Sequence, residues 1–436
     1  MDISEVVLAT ADRGPILQVI SSFDGKSPDS WLSGGHPAAD GSLPLLWRDV
    51  NNIPHPQLIE AVSASAPNHC MDGWSYIARA KAAFLAGDLH AARHLAYYAQ
   101  LRAALSMLGH LGIGVFNGIN FVVNANGGVA RLDPQRRTEK GLGTHAAVWV
   151  ILDKWVSDPR MARQFLGMVR VAGIALASCL DAVWPGASTT AVAGNLVEAW
   201  GVDLKRGRDD HRSRNMSSYN PQALQQMPDQ VADRVLFIES VWSLFEPTSS
   251  SSFDLVDRLL LRSMLWQQHE VVSPQLSKRD GAIGRRYEHL PEAVRNIASI
   301  EFLCGESEAV EPTLITAAKS NQSPALPTEM IARALLLLRA ATAFTVSNFS
   351  DAGIRLGEGK LRAWTDPIAV ARGFWKPASA LANPIDLWDD IKVALEELAA
   401  SNNPPPTSMK EWMERSPIGL PTLTEAERIG VWSLGS

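Results

Sequence analysis

The chain has 436 residues, 46% of them hydrophobic and 20% charged, with a net charge of −6. This length exceeds one ordinary core, and the composition excludes wholesale disorder. The negative balance excludes a globally basic nucleic-acid binder, so any such role needs a local basic patch. Three cysteines, Cys70, Cys179 and Cys304, lie far apart. That spacing excludes a disulfide framework or a Cys-based zinc cluster and fits a reducing, cytoplasmic setting.

In chain order, residues 1–70 are rich in Pro, Gly and Ser around Trp31 and Trp47, which predicts a loop-rich N-terminal arm docked through those aromatics. A helical period starts near Asp72 and runs to Leu108. Gly87-Asp88 interrupts it with a stop residue followed by a cap residue, so a helical hairpin is expected. The period then breaks. NFVV and VARLD flank Asn124–Gly128, the pattern of a small β-hairpin near 120–133. A polar loop holding Arg136, Arg137 and Lys140 follows, and His145 stands at the next helix start, where an anion would be favoured.

Helical text returns at Ala146–Val156, Pro159–Trp184 and Ala191–Trp200. Beyond Pro221 come amphipathic segments around 231–246 and 253–272, parted by a serine run at Ser249–Ser252. Others follow at Leu290–Cys304, Glu311–Ala318, Pro327–Asn348 and Asp386–Ser401, and no fixed-period repeat appears. The apolar windows Phe165–Trp184 and Met330–Phe344 contain charges or are short of the ~20 residues a span needs, so no membrane association is expected. The expected architecture is all-α with one β-hairpin insertion. Residues 1–70 form an arm, 71–221 a helical bundle, and 222–436 a second helical region with a Pro-rich tail.

The segment 200–221 is the densest in chemistry. It carries Lys205, Arg206, Arg208, Arg212 and Arg214 against Asp209 and Asp210, with His211, Asn215 and Tyr219. Arginine forks suit phosphate, and neighbouring Asn or Tyr adds hydrogen bonds to an oxyanion. The alternative is a solvated, self-neutralised helix start ending at Asn220-Pro221. His90 and His94 share one helix face, but Ala91 stands where a zincin has Glu and no third ligand is near, so no metal is assigned. No phosphate loop, nucleophile elbow or dinucleotide fingerprint is present, and no cofactor is expected.

Arg214-Asn215-Met216-Ser217-Ser218-Tyr219 resembles the Arg-Asn-x-x-x-His signature of HEPN domains, helical bundles of which many are metal-independent ribonucleases in bacterial defence and toxin–antitoxin systems. The Ala-rich hairpin at Ala78–Leu108 is similar to the first helices of such bundles. The resemblance covers Met71–Pro221. It implies a homodimer, a ligand that is RNA, nucleotide or a protein encoded in the same operon, and roles for Arg214, Asn215 and Tyr219. It departs at Tyr219, which stands where the family has its His. An unperturbed phenol near pKa ~10 is a poor base at neutral pH. The expectation is therefore a defence component whose altered motif binds, with Arg206, Arg208, Arg212, Arg136 and Arg137 assisting on phosphate. A second frame, Arg206 to His211, keeps open an active metal-independent endoribonuclease, and a helical scaffold without ligand is the third reading.

Overall fold

In the computed structural model, the described residues are 3–36, 54–116, 118–132, 142–187, 198, 202–220, 222, 231–248, 253–272, 281, 283–305, 311–356 and 358–435. The fold is all-α, about 70% helix against 4% strand. Two short helices open the chain, α1 (Glu5–Leu8) and α2 (Gly14–Ile20). Trp31 stacks on Phe23 at 4.6 Å and meets Trp364 edge-on at 5.2 Å, so the N-terminal segment does dock through an aromatic anchor. Trp47 lies outside the described residues.

The first long helix is α3 (His55–Leu85), which begins well before the expected start near Asp72. Pro67 and the small residues around it hide the pattern, since an internal proline normally reads as a helix end. Tertiary packing overrides that signal: Ala66 is buried against α4 (Leu89–His110). A Cβ on Gly109 would stand 2.8 Å from the Ala66 Cβ, so glycine lets the two backbones approach here. The turn between the helices follows the expected chemistry. Gly87 takes a left-handed φ of 83°, and the Asp88 carboxylate accepts from the Ala91 N–H at 2.9 Å.

The hairpin insertion is present and larger than expected. Strands β1 (Ile113–Phe116), β2 (Ile119–Val123) and β3 (Val129–Arg131) form an antiparallel sheet in that order, with Val122 opposite Ile113 and Ala130. Asn124 Oδ1 closes the β2–β3 turn by accepting from the N–H groups of Asn126 and Gly128 at 3.1 and 2.9 Å. Next come α5 (Thr144–Ser157) and α6 (Pro159–Met168). The helix expected over Pro159–Trp184 is broken by a two-stranded hairpin, β4 (Arg170–Val171) and β5 (Ile174–Ala175), before α7 (Leu176–Val183). Ala172 and Gly173 both adopt positive φ, a conformation no helix continues through. Most of the helix expected at Ala191–Trp200 lies outside the described residues.

The charged segment folds as α8 (Gly207–Tyr219), followed by α9 (Val231–Leu244) and α10 (Asp254–Val272). The expected Leu290–Cys304 helix is two short ones, α11 (Glu292–Ile297) and α12 (Ile300–Cys304), because Ala298 is extended and Ser299 caps the second. Then come α13 (Thr313–Lys319) and α14 (Pro327–Asp351). The Pro-rich tail holds more helix than expected: α15 (Arg362–Ala371), α16 (Leu387–Ser401), α17 (Met409–Arg415), α18 (Gly419–Thr424) and α19 (Glu427–Gly435).

α14 is the axis of the core. Among the described residues it is the one helix long and apolar enough to cross a membrane, yet 94% of its apolar window is buried inside the fold. Its polar groups bond to α3 and α4. The Thr342 hydroxyl accepts from Trp74 Nε1 at 3.0 Å, the Gln100 amide donates to the Met330 carbonyl at 3.0 Å, and the Asn348 amide donates to the His110 carbonyl at 2.8 Å. Two arginines interrupt its apolar text. Arg333 forks onto Asp210 of α8 at 2.9 and 2.7 Å, and Arg339 forks onto Asp257 of α10 at 2.7 Å for both bonds. All four side chains are buried. Removing one member of such a pair strands the other charge, which costs about 3–5 kcal/mol. Arg339→Ala is therefore expected to lower urea-unfolding stability by about that amount, and Arg339→Met with Asp257→Leu to recover most of it; equal losses in the single and double variants would contradict the pairing.

Another buried charge has no such partner. Lys81 is fully buried, with its ammonium 4.0 Å from the Trp242 ring centroid and no hydrogen-bond acceptor. Burial pushes its pKa well below the ordinary lysine value, against a smaller upward pull from Glu427 and Glu425. Glu427 is itself paired with Arg372 at 2.9 Å. With the folded amine depressed, the unfolded chain binds the extra proton, so stability falls as pH drops below the unfolded value of ~10.4. Lys81→Met should raise the urea midpoint at pH 7, with a gain that shrinks as pH approaches 10. A variant less stable than the parent at pH 7 would refute this.

Candidate functional site

Three helices bring one polar-aromatic face each to a common point, and helical spacing sets each face. On α4 the residues are His94, Tyr97 and Tyr98; on α5, His145 and Trp149; on α8, His211, Arg214, Asn215 and Ser218. α8 reaches this point because Asp210 is anchored to Arg333 and because Gly207 lies flat on Trp149. A Cβ at Gly207 would meet the indole at 2.3 Å.

The centre is an aromatic and imidazole stack. The rings of His145 and His211 are parallel within 3° with centroids 5.1 Å apart, and Tyr97 stacks against both at 5.7 and 5.3 Å. Tyr98 meets His145 edge-on at 5.8 Å and His94 at 5.0 Å. His94 Nδ1 and the Ser218 hydroxyl are 2.7 Å apart.

Hydrogen bonds assign the His211 tautomer. Burial pushes the Tyr97 phenol up to about 12, so it keeps its proton. Trp149 Nε1 donates to the Tyr97 oxygen at 3.3 Å, and that hydroxyl lies 3.1 Å from His145 Nδ1. On α8, Arg214 Nη1 donates to Asn215 Oδ1 at 2.9 Å, which turns the amide nitrogen toward His211 Nε2 at 3.5 Å. His211 is thus an acceptor at Nε2 and holds its proton on Nδ1.

Arg214 is the charge of the site. It is 9% exposed, donates from Nη2 to the Tyr98 hydroxyl at 2.7 Å, and leaves a buried Nε without a partner. Its guanidinium lies 5.2 Å from the Tyr98 ring centroid and 5.9 Å from that of Tyr219. Among the described residues no carboxylate pairs with it. The three histidines feel this field. Desolvation is the larger cause and Arg214 a further one in lowering the pKa of His94, His145 and His211, and His211 adds to the effect on His145. All three are therefore neutral at pH 7.

The expected residues separate. Arg214, Asn215 and His211 converge, and Tyr219 stands beside them with its ring 79% exposed. Arg206 belongs to the scaffold: it donates to the Ser320 carbonyl at 2.8 Å and pairs with Asp203 at 3.5 Å. The arginine whose charge acts on His211 is thus Arg214. Arg212 pairs with Asp209 at 3.0 Å on the exposed face, and Arg208 is exposed. Arg136 and Arg137 lie outside the described residues. Tyr97 and Tyr98 were not anticipated, and His94 was weighed only as a metal ligand with His90, although the i, i+3, i+4 spacing of His94, Tyr97 and Tyr98 marks a single face. Among the described residues no group of three His, Cys, Asp or Glu is placed to hold a metal ion.

Comparison with protein-family models, with curated proteins and with solved structures finds no match, so the chemistry of this site rests on its own geometry.

A histidine with a lowered folded pKa costs stability on acidification, because the unfolded chain takes up its proton first, near pH 6.5. NMR titration of the imidazole resonances should place His145 and His211 below 6.5 in the parent, and Arg214→Gln should move both upward. Midpoints at or above 6.5, or midpoints indifferent to residue 214, would refute the electrostatic account.

Proposed function

We propose that the Arg214 cluster binds a phosphate of RNA, and that this chain is the RNA-binding component of a bacterial anti-phage or toxin–antitoxin system. One observation carries the phosphate site. Arg214 is buried and lacks a carboxylate among the described residues, while its nearest ionisable neighbours are held neutral. A desolvated cation without a counter-ion is costly, and an arriving oxyanion removes that cost. Phosphate suits the fork of Arg214, whose Nε has no partner, with imidazole N–H groups close by. The defence setting comes from the likeness of Arg214–Tyr219 to the HEPN signature. Tyr219 is suited to stacking or hydrogen bonding rather than to proton abstraction.

A second reading, metal-independent RNA cleavage, is favoured by the His145–His211 pair. A neutral imidazole can take the proton of a ribose 2′-hydroxyl as that oxygen attacks the phosphorus, and the proton it has taken can then pass to the leaving 5′-oxygen. The products are a cyclic phosphate and a free 5′-hydroxyl. Since His211 shares its surroundings with Arg214, the base absent at position 219 has a substitute on the same helix.

Fluorescence anisotropy with a labelled RNA oligonucleotide tests the first reading. Arg214→Gln should weaken binding by roughly tenfold or more and reduce the salt slope by about 1. Parent protein that shows no salt-sensitive binding would end it. Incubation with RNA in EDTA tests the second: cleavage should appear in the parent and vanish in His211→Ala, and intact RNA with the parent rejects it.

A further inference from the structure

Away from the Arg214 cluster, one more buried arginine stands in surroundings unlike those of the rest. Among the described residues Arg93, Arg214, Arg234, Arg333, Arg339 and Arg428 are buried, and each donates to at least one oxygen. Arg262 of α10 is 7% exposed and has neither an ion pair nor a hydrogen-bond acceptor among them. Rings flank its guanidinium instead, with centroids 4.6 Å away at Phe302 of α12 and 5.1 Å away at Trp266. Arg258, one turn earlier on α10, brings a second guanidinium to 5.0 Å from the same Phe302 ring, and its buried Nε also lacks a partner. Arg258, Trp266 and Phe302 are half-buried, so this corner of the fold meets solvent.

Like charges at i and i+4 repel, and a ring face returns only about 0.5–2 kcal/mol per cation. Nearby carboxylates do not complete the balance. Burial lowers the Arg262 pKa, Glu311 pulls it back up and Arg258 lowers it further, and the Glu311 carboxylate is itself bonded to Lys319. Asp257 is taken up by the Arg339 fork. Two partly desolvated guanidinium groups without acceptors suit an anion that brings close to two charges and several oxygens. Inorganic phosphate or a phosphate monoester does so, at about −1.5 to −2 near pH 7, whereas a backbone phosphodiester carries about one charge. A base has no place here. Trp266 Nε1 donates to the Leu303 carbonyl at 2.7 Å, and a Cβ at Gly305 would meet the indole at 2.1 Å. The rings hold the arginines, and the arginine N–H groups are left for the ligand.

We propose that Arg258 and Arg262 form a second anion site, separate from Arg214, that takes a small phosphate dianion. Isothermal titration calorimetry of the full chain with inorganic phosphate tests it, in Arg214→Gln protein so that only the α10 site is read. Phosphate should bind, dimethyl phosphate should bind roughly tenfold more weakly, and adding Arg262→Gln or Arg258→Gln should each weaken phosphate by roughly tenfold. Circular dichroism checks that the variants fold, and the half-buried Arg258 gives the milder exchange. Absence of phosphate binding in Arg214→Gln, or an affinity indifferent to residues 258 and 262, overturns the site and leaves the Arg214 reading untouched. Equal affinity for dimethyl phosphate overturns the dianion. In the RNA anisotropy assay Arg262→Gln alone should match the parent; a loss there would make Arg262 a strand contact and overturn the small ligand.

Discussion

Arg333 of α14 holds the carboxylate of Asp210 in a two-pronged bond inside the protein, and the position of everything on α8 follows from it. α8 is a poor helix to bury on its own terms. Its sequence, GRDDHRSRNMSSY, has no apolar stripe to drive it against the core. The hydrophobic effect cannot place such a segment, so a directional interaction does. α14 carries a second fork, Arg339 to Asp257, that ties α10 to the same axis. Buried pairs of this kind add little net stability but penalise every arrangement that leaves them unmatched. In this fold they act as registration marks on an otherwise uniform apolar rod.

Registration has an electrostatic result one turn further along. Once Asp210 is spent on Arg333, no acidic group on α8 faces Arg214, and α4 and α5 supply only phenols, an indole and imidazoles. The site therefore holds a cation without a paired carboxylate among the described residues, in a chain whose total charge is negative. Local field and global charge are separate quantities, and only the first is felt by a ligand at contact distance.

Much of this was readable from sequence, and the failures have physical reasons. The helix turn at Gly87-Asp88 and the hairpin turn at Asn124–Gly128 are local chemistry, so residue type alone reveals them. The polar cluster at 206–219 was visible as a density of charge. Its division into scaffold and site was not, because whether Asp210 neutralises a neighbour on α8 or a distant arginine is a tertiary fact. The start of α3 was obscured by Pro67, whose local penalty is overcome by packing against α4. His145 was noticed as an anion-facing cap, whereas its stacking on His211 joins residues 66 positions apart. Tyr97 and Tyr98 gave the weakest warning, since a tyrosine on a helix face usually signifies core.

Trp149 serves two purposes with one ring. Its flat face sets how closely the first turn of α8 can lie, which requires glycine at 207, and its N–H bonds to the Tyr97 phenol that in turn pairs with His145. A smaller aromatic residue would open space at 207 and lose the donor together. Position 149 therefore couples the packing of α8 to the hydrogen bonding of Tyr97 through a single side chain.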